Sequence, residues 1–388
     1  AYGSLSVILV FYLVSLGLTE PQTGLIFSLT LAGDMVVSLY LTTRADRIGR
    51  RRMLIIGAVL MAAAGVAFAS TKNLLFLIIA GTIGVISPSG NEVGPFLSIE
   101  QASLSHIVPG SSRTEVFAWY TLAGSVATAL GALAGGGLAQ ALQHRSVTIE
   151  SSYRMVVILY AAIGLLLAVL FMRLSKQVEV AVAQKDSSAK ADFFGVPRSR
   201  GVIAKLSSLF ALDSFAGGFV VQSFAAYWFY LRFGVKPATL GAIFFWANVF
   251  AGISALLASR LAARIGLVRT MVFTHLPSNV LLILVPLMPT LPLAIAVLLA
   301  RFSISQMDVP ARQSYIMAVV PPEERSAAGG ITGVARTTGA AISPLLAGFL
   351  FARPSLISVP FFLAGGLKIV YDILLFYSFR TVQPPEET

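Results

Sequence analysis

Long apolar runs, each about as long as a bilayer is thick, alternate along the chain with short polar turns. A spanning helix needs about 20 mainly apolar residues, and charge, Gly, Pro and Asn mark its ends. On that pattern helices fall near 1–18, 22–43, 53–70, 74–105, 114–138 and 153–173. A second series follows near 201–231, 238–259, 268–288, 291–318, 327–350 and 355–378, twelve in all. The fourth and tenth are long and carry Pro95 and Pro310 among polar neighbours, so bends are expected there. The expected fold is all-α and polytopic, with an N-terminal six-helix bundle over 1–173 and a C-terminal one over 201–380. A polar cytoplasmic linker, 174–200, joins them and a polar tail, 381–388, follows. The run from Ala1 to Leu18 has no basic lead-in and reads as a first helix whose amino end lies upstream of residue 1.

Composition supports the pattern. The 388 residues are 56% hydrophobic and 12% charged, whereas a soluble protein carries about a quarter of its residues charged. The net charge of +11 would suit nucleic acid if the basic residues formed a domain. Instead they cluster at the rims of apolar runs: Arg44, Arg47, Arg50, Arg51 and Arg52 in one turn, and Arg173, Lys176, Lys185, Lys190, Arg198, Arg200 and Lys205 in another. With the first turn placed outside, inner turns and tail hold about three times as many basic residues as outer ones, which sets both termini in the cytoplasm. The lipid bilayer is the expected environment, with no nucleic-acid partner. The absence of cysteine removes thiol and iron–sulfur chemistry, and His106, His144 and His275 are too scattered for a metal cage. No metal or cofactor is expected.

The two halves echo each other. "RIGRRRM" at 47–53 returns as "RIGLVRTM" at 264–271, and "HIVPGSSRT" at 106–114 as "AVVPPEERS" at 318–326, a separation of 212 that also sets Gly136 on Gly348. A duplicated helical bundle favours alternating access.

At the turn between helices two and three, "TTRADRIGRRRM" (42–53) resembles the loop motif of the major facilitator superfamily, through Asp46, Arg47, Gly49, Arg50 and Arg51. Thr42 stands where the motif has glycine. In the second copy Ser259 and Ala263 replace glycine and aspartate, while Arg264 and Gly266 remain. The resemblance implies a twelve-helix carrier and gives this motif the part of a cytoplasmic gate that latches the bundles; a topology-setting basic turn is the plainer reading. "GALAGG", with Gly131, Gly135 and Gly136, resembles the antiporter signature of helix five, although Ala132 occupies its proline position. "SPLLAG" supplies Pro344 and Gly348 in the other half. Close helix packing accounts for both equally well.

Ionisable groups at bilayer depth are costly and mark pathways. The acidic ones are Asp34, Glu92, Glu100, Glu115, Asp213, Asp308 and Asp372; the basic ones are Arg301, Arg312, Arg336 and Lys368. Asp34, mid-helix with only Ser38 on its face, is a candidate for proton coupling. Glu92 suits a central cavity and Glu100 a cytoplasmic vestibule. Asp308 and Arg312, at i and i+4, suit a structural ion pair, which leaves Arg301 and Arg336 to hold an anionic group. Asp213 and Gln222 share helix seven with an aromatic series, and a lipid-facing belt is expected around Trp228. The coupling and substrate pathway is therefore assigned to Asp34, Glu92, Glu100, Asp213, Gln222, Arg301, Asp308, Arg312 and Arg336.

Without a nucleotide-cradling glycine loop, the reading is secondary active transport, not enzymatic catalysis. The expected carrier moves a small organic solute, anionic or amphipathic, coupled to protons, with a lean toward efflux and a monomer sufficient. Divalent-metal export or uniport on the same scaffold, and a receptor that binds without flux, are the alternatives. Basic inner loops and the lack of cysteine suit a cell membrane of the prokaryotic inner-membrane type.

Overall fold

The computed structural model describes residues 1–89, 95–108, 113–175, 178–179, 198–321 and 324–380, and among them the regular structure is helical. The α-helices are α1 (Tyr2–Ser15), α2 (Glu20–Ile48), α3 (Arg50–Ser70), α4 (Leu74–Ile83), α5 (Pro95–Ile107), α6 (Arg113–His144) and α7 (Ile149–Met172). They continue as α8 (Arg200–Gly218), α9 (Gln222–Phe233), α10 (Pro237–Ile265), α11 (Leu267–Leu284), α12 (Leu291–Phe302), α13 (Asp308–Ala318), α14 (Arg325–Phe351) and α15 (Val359–Phe379). Among the described residues nine helical segments are long and apolar enough to cross a membrane, and Tyr2–Ser15, Leu74–Ile83 and Leu291–Phe302 are shorter apolar helices. The chain is an all-α polytopic membrane protein.

Local chemistry places the helix starts. Thr19 and Gln22 form a reciprocal cap on α2, with Pro21 in the first turn. Asn73 Oδ1 accepts the Leu75 N–H at 2.9 Å at the start of α4. The two copies of the Arg-Ile-Gly turn adopt the same geometry. Gly49 (φ +118°) and Gly266 (φ +86°) both hold positive φ, which a side chain would strain, and α3 and α11 start immediately after them.

Both spans expected to bend at Pro95 and Pro310 are divided between two helices, with residues 90–94 outside the described ones. α4 ends at Ile83 and α5 begins at Pro95; α12 ends at Phe302 and α13 begins at Asp308. Both prolines stand in the first turn of the resuming helix, where a missing N–H costs nothing. A further break, between Gly218 of α8 and Gln222 of α9, contains no proline and follows the glycine pair Gly217–Gly218. Of the rings around Trp228, Tyr230 is exposed, whereas Trp228 itself lies inside the fold. It is fully buried and set edge-on against Phe229 and Phe233, with ring centroids 5.1 and 5.7 Å away.

Two compact units result. The first comprises Ala1–Lys185, Val221–Phe245 and Pro344–Arg353; the second comprises Asp186–Val220, Trp246–Ser343 and Pro354–Thr388. The first is zipped by glycines. A Cβ on Gly135 of α6 would stand 2.7 Å from Ser4 Cα of α1. A Cβ on Gly136 would stand 2.2 Å from the Pro237 carbonyl oxygen of α10, and one on Gly348 of α14 2.4 Å from that of Glu20 in α2. Gly131 lies beside Ser4, and the Pro344 carbonyl reaches Gly24. Without lipid-excluding hydrophobic gain between helices, such close approach is what supplies packing energy in a membrane.

Candidate functional site

In the second unit, α8, α11, α13, α14 and α15 meet around an apolar cluster that includes Leu206, Phe210, Met271, Tyr315, Tyr371 and Leu375. Beside it lies a buried ionisable network. Asp213 of α8 is its hub: Oδ1 accepts a short hydrogen bond from Lys368 Nζ of α15. Oδ2 lies 3.2 Å from Arg312 NH1 of α13. The same Arg312 nitrogen is 3.3 Å from Asp308 Oδ2, one turn earlier. The Arg312 guanidinium also lies over the Phe210 ring, 5.5 Å from its centroid.

His275 of α11 connects this hub to a second carboxylate. Its Nε2 is 3.7 Å from Asp213 Oδ1 and its Nδ1 is 2.8 Å from Asp372 Oδ1 on α15. Asn279, one turn along α11, donates to Asp372 Oδ2 at 2.9 Å and stands 3.1 Å from the same His275 Nδ1. Two proton placements satisfy this geometry. In one, Nδ1–H donates to the Asp372 carboxylate; in the other, protonated Asp372 donates to Nδ1. Gly365 makes the contact possible, since a Cβ there would lie 3.0 Å from the Asn279 carbonyl oxygen and force α15 off α11.

Two cations stand apart from this pairing. Arg301, in the last turn of α12, and Arg336 of α14 are half-buried. Each has its Nε buried without a hydrogen-bond partner, and neither has a carboxylate within 4.0 Å among the described residues. Asp213 and Asp308 act electrostatically on both, and Arg312 is the strongest electrostatic neighbour of Arg336. A shallow cavity of about 400 Å³ is lined by Ala211, Leu212, Phe215, Ala335, Thr338, Gly339 and Ile342 of α8 and α14.

Of the residues singled out in the sequence, Asp213, Asp308 and Arg312 thus share one cluster, and Arg301 and Arg336 lie within its field. Others are elsewhere. Asp34 is buried in the first unit, where Ser38 Oγ donates to it at 3.4 Å. Glu100 accepts a short hydrogen bond from the Tyr120 hydroxyl. Gln222 belongs to the first unit as well and donates to Ser6 Oγ at 2.8 Å. Glu92 and the side chains of Asp46 and Arg47 lie outside the described residues.

Arg50 and Arg51 of the loop motif do not merely face water. Arg50 is buried and donates from NH1 to the Ala102 carbonyl of α5 at 3.1 Å; Arg51 donates to the Met172 carbonyl at the end of α7. Glu179 Oε2 accepts the Arg50 backbone N–H at 2.8 Å, and Oε1 that of Arg51 at 3.3 Å, placing a carboxylate on the positive end of α3. Glu324 does the same at the start of α8, accepting the backbone N–H groups of Arg198 at 2.8 Å and Ser199 at 3.1 Å. Against the opposing effect of burial, these hydrogen bonds hold the Glu324 carboxyl below the usual glutamate range. Arg264 is exposed beside Gly266.

His275, Asn279, Lys368 and Asp372 were absent from the sequence-derived pathway. A signal was there: His275 with Asn279 and Lys368 with Asp372 are both i,i+4 pairs within apolar spans, so each pair presents two polar groups on one helix face. Neither pair reveals its partner.

The sequence profile described as Major Facilitator Superfamily matches residues 1–299 and 206–388. The uncharacterized membrane protein YJR124C of Saccharomyces cerevisiae is 30% identical over 403 residues, covering 97% of this chain and 90% of the relative. Among solved structures, a bacterial homolog of the human lysosomal transporter Spinster superposes with a TM-score of 0.75 at 15% identity, covering 98% of this chain and 93% of the other. The nucleoside transporter NupG gives 0.72 at 13%, covering 98% and 95%. The human organic anion transporter MFSD10 gives 0.58 at 18%, covering 96% and 90%.

Proposed function

The chain belongs to the major facilitator superfamily, and from that premise we propose a proton-coupled secondary carrier of small organic solutes whose coupling resides in the buried network of the second unit. Secondary transport of small solutes, without enzymatic chemistry, is the activity of this family. The proton coupling rests on one observation. His275 is held between Asp372 at 2.8 Å and the hub carboxylate Asp213 at 3.7 Å, while Asp213 also holds Lys368 and Arg312. Protonation of His275 places a further cation beside Asp213, in competition with Lys368 and Arg312. Proton uptake thereby changes which cations are neutralised, and that is the energetic requirement for coupling a proton to a second ligand.

Supporting features complete the reading. Asp34 is a second coupling candidate, as a buried carboxyl with Ser38 on it; Glu92 and Glu100 are assigned to the pathway with it. The two Arg-Ile-Gly turns, through Asp46, Arg47, Gly49, Arg50, Arg51, Arg264 and Gly266, are proposed as the cytoplasmic gate. Twelve spans divided six and six about 174–200, both termini in the cytoplasm, follow from the apolar pattern and the bias of basic residues. The glycine-rich α6 leans the direction toward efflux, and a monomer suffices. The proposed location is the cell membrane; lack of cysteine and basic inner loops speak for a prokaryotic inner membrane.

The test is reconstitution into tight liposomes under an imposed pH gradient, with internal pH followed as organic anions, sugars, cationic drugs and divalent metals are added. A solute that moves protons only with the intact protein is expected, with the response lost in His275→Gln. Loss in Asp34→Asn alone would transfer the coupling to the first unit. Labelled solute that equilibrates without any pH change would leave a uniporter and refute the proton reading.

A further inference from the structure

We propose that the transported solute is an organic anion whose carboxylate or phosphate group is held by Arg301 and Arg336. The inference rests on the carrier reading above and names its substrate class. It starts from charge accounting. Within the spans of the second unit the carboxylates are Asp213, Asp308 and Asp372, and each is engaged: Asp213 by Lys368 and Arg312, Asp308 by Arg312, Asp372 by His275 and Asn279. None remains for Arg301 or Arg336. With His275 neutral, Arg301, Arg312, Arg336 and Lys368 outnumber the three carboxylates by one positive charge; with His275 protonated, by two.

That surplus sits where a lone charge is costly. Both guanidinium groups are half-buried, and the Nε of each is buried without an acceptor. A half-buried cation gains from a counter-charge, and among the described residues no carboxylate lies within 4.0 Å of either. The planar fork of arginine fits a carboxylate or phosphate with two parallel hydrogen bonds, so an incoming anion meets an unmet requirement on both sides. A neutral solute would leave it unmet. Asp213 and Asp308 act electrostatically on both arginines. The arginines select for negative charge, and the organic part follows from the carrier reading. Protonation of His275 raises the surplus, so proton and anion are expected to bind with mutual reinforcement.

The experiment uses the full chain in nanodiscs of neutral phosphatidylcholine. Melting temperature is read against matched ligands: benzoate with benzamide, glutarate with glutaramide, glucose 6-phosphate with glucose. At least one anion is expected to raise the melting temperature where its neutral twin does not. Arg301→Gln and Arg336→Gln should each weaken that apparent affinity about tenfold or more, since each removes a charge-assisted pair. Arg336→Lys keeps the charge and should retain part of the response; ligand-free melting of every variant reads folding separately. The proposal is overturned if neutral twins act equally, if the shift survives both Gln substitutions, or if no anion shifts the protein. It is equally overturned if phosphatidylglycerol discs reproduce the shift and soluble anions add nothing. Flux in liposomes separates this from the carrier reading: a neutral solute that moves with protons keeps the carrier and sinks the anion, whereas anion binding without flux keeps the site and sinks the carrier.

Discussion

Replacing Asp213 with asparagine preserves the shape of the network and deletes its hub charge. Arg312 keeps Asp308 at 3.3 Å, but Lys368 loses its carboxylate partner while remaining buried. Leaving one buried charge uncompensated costs about 3–5 kcal/mol. Unfolding entropy of about 2.1 cal/mol/K per residue gives roughly 0.8 kcal/mol/K for 388 residues. The expected fall in melting temperature is then about 4–6 °C if the chain melts as one, and about twice that if the second unit melts by itself. Lys368→Met alone should cost less, because Asp213 still has Arg312 at 3.2 Å. The double variant Asp213→Asn/Lys368→Met removes both buried charges and should recover much of the loss, with a coupling energy of roughly 2 kcal/mol. Intrinsic fluorescence of the protein's three tryptophans during heating reads all three variants. Asp213→Asn melting within about 1 °C of the parent, or a double variant no better than the single, would show that the hub does not hold the network together.

Other outcomes follow from particular contacts. Gly136→Ala should destabilise by about 1–3 kcal/mol, because its Cβ would lie 2.2 Å from the Pro237 carbonyl oxygen. Gly137→Ala, which meets nothing within 4 Å, should be neutral or gain up to about 1 kcal/mol of helix propensity; equal behaviour in a melting assay would refute the close-packing account. Glu324 has a lowered pKa in the folded chain, so its contribution is present above the ordinary glutamate pKa and lost as pH falls through the lower folded value. The melting difference between parent and Glu324→Gln should thus be full near neutral pH and vanish on acidification; a constant difference would remove the charge from the explanation. Asp372→Asn keeps an acceptor for His275 but cannot hold the proton, so it should flatten the pH dependence of transport while solute binding persists. Unchanged pH dependence would exclude the His275–Asp372 pair from coupling.

The apolar runs and the repeated Arg-Ile-Gly turn were legible in one dimension. Each follows from local physics: bilayer thickness sets run length, and a positive-φ turn before α3 and α11 demands the glycines at 49 and 266. The close approaches at Gly135 and Gly136 were legible in kind, since a run of small residues admits a neighbour, but not as contacts with Ser4 and Pro237. Intramembrane charges were legible one by one, because bilayer depth makes each costly wherever it occurs. Their grouping was not, beyond the i,i+4 pair of Asp308 and Arg312. His275 meets Asp372 across 97 positions and Asp213 meets Lys368 across 155, and no periodicity along one helix records what the facing helix presents. Which rings near Trp228 face outward was not legible for the same reason, as amphipathic rings suit both lipid and core until neighbours are known: Tyr230 is exposed and Trp228 buried. Sequence alone determined that this chain spans a membrane with buried charge in its spans. Only tertiary structure decided that Asp213, Lys368, His275 and Asp372 join the Asp308–Arg312 pair in one network, because pairing across helices depends on distances that the chain order does not encode.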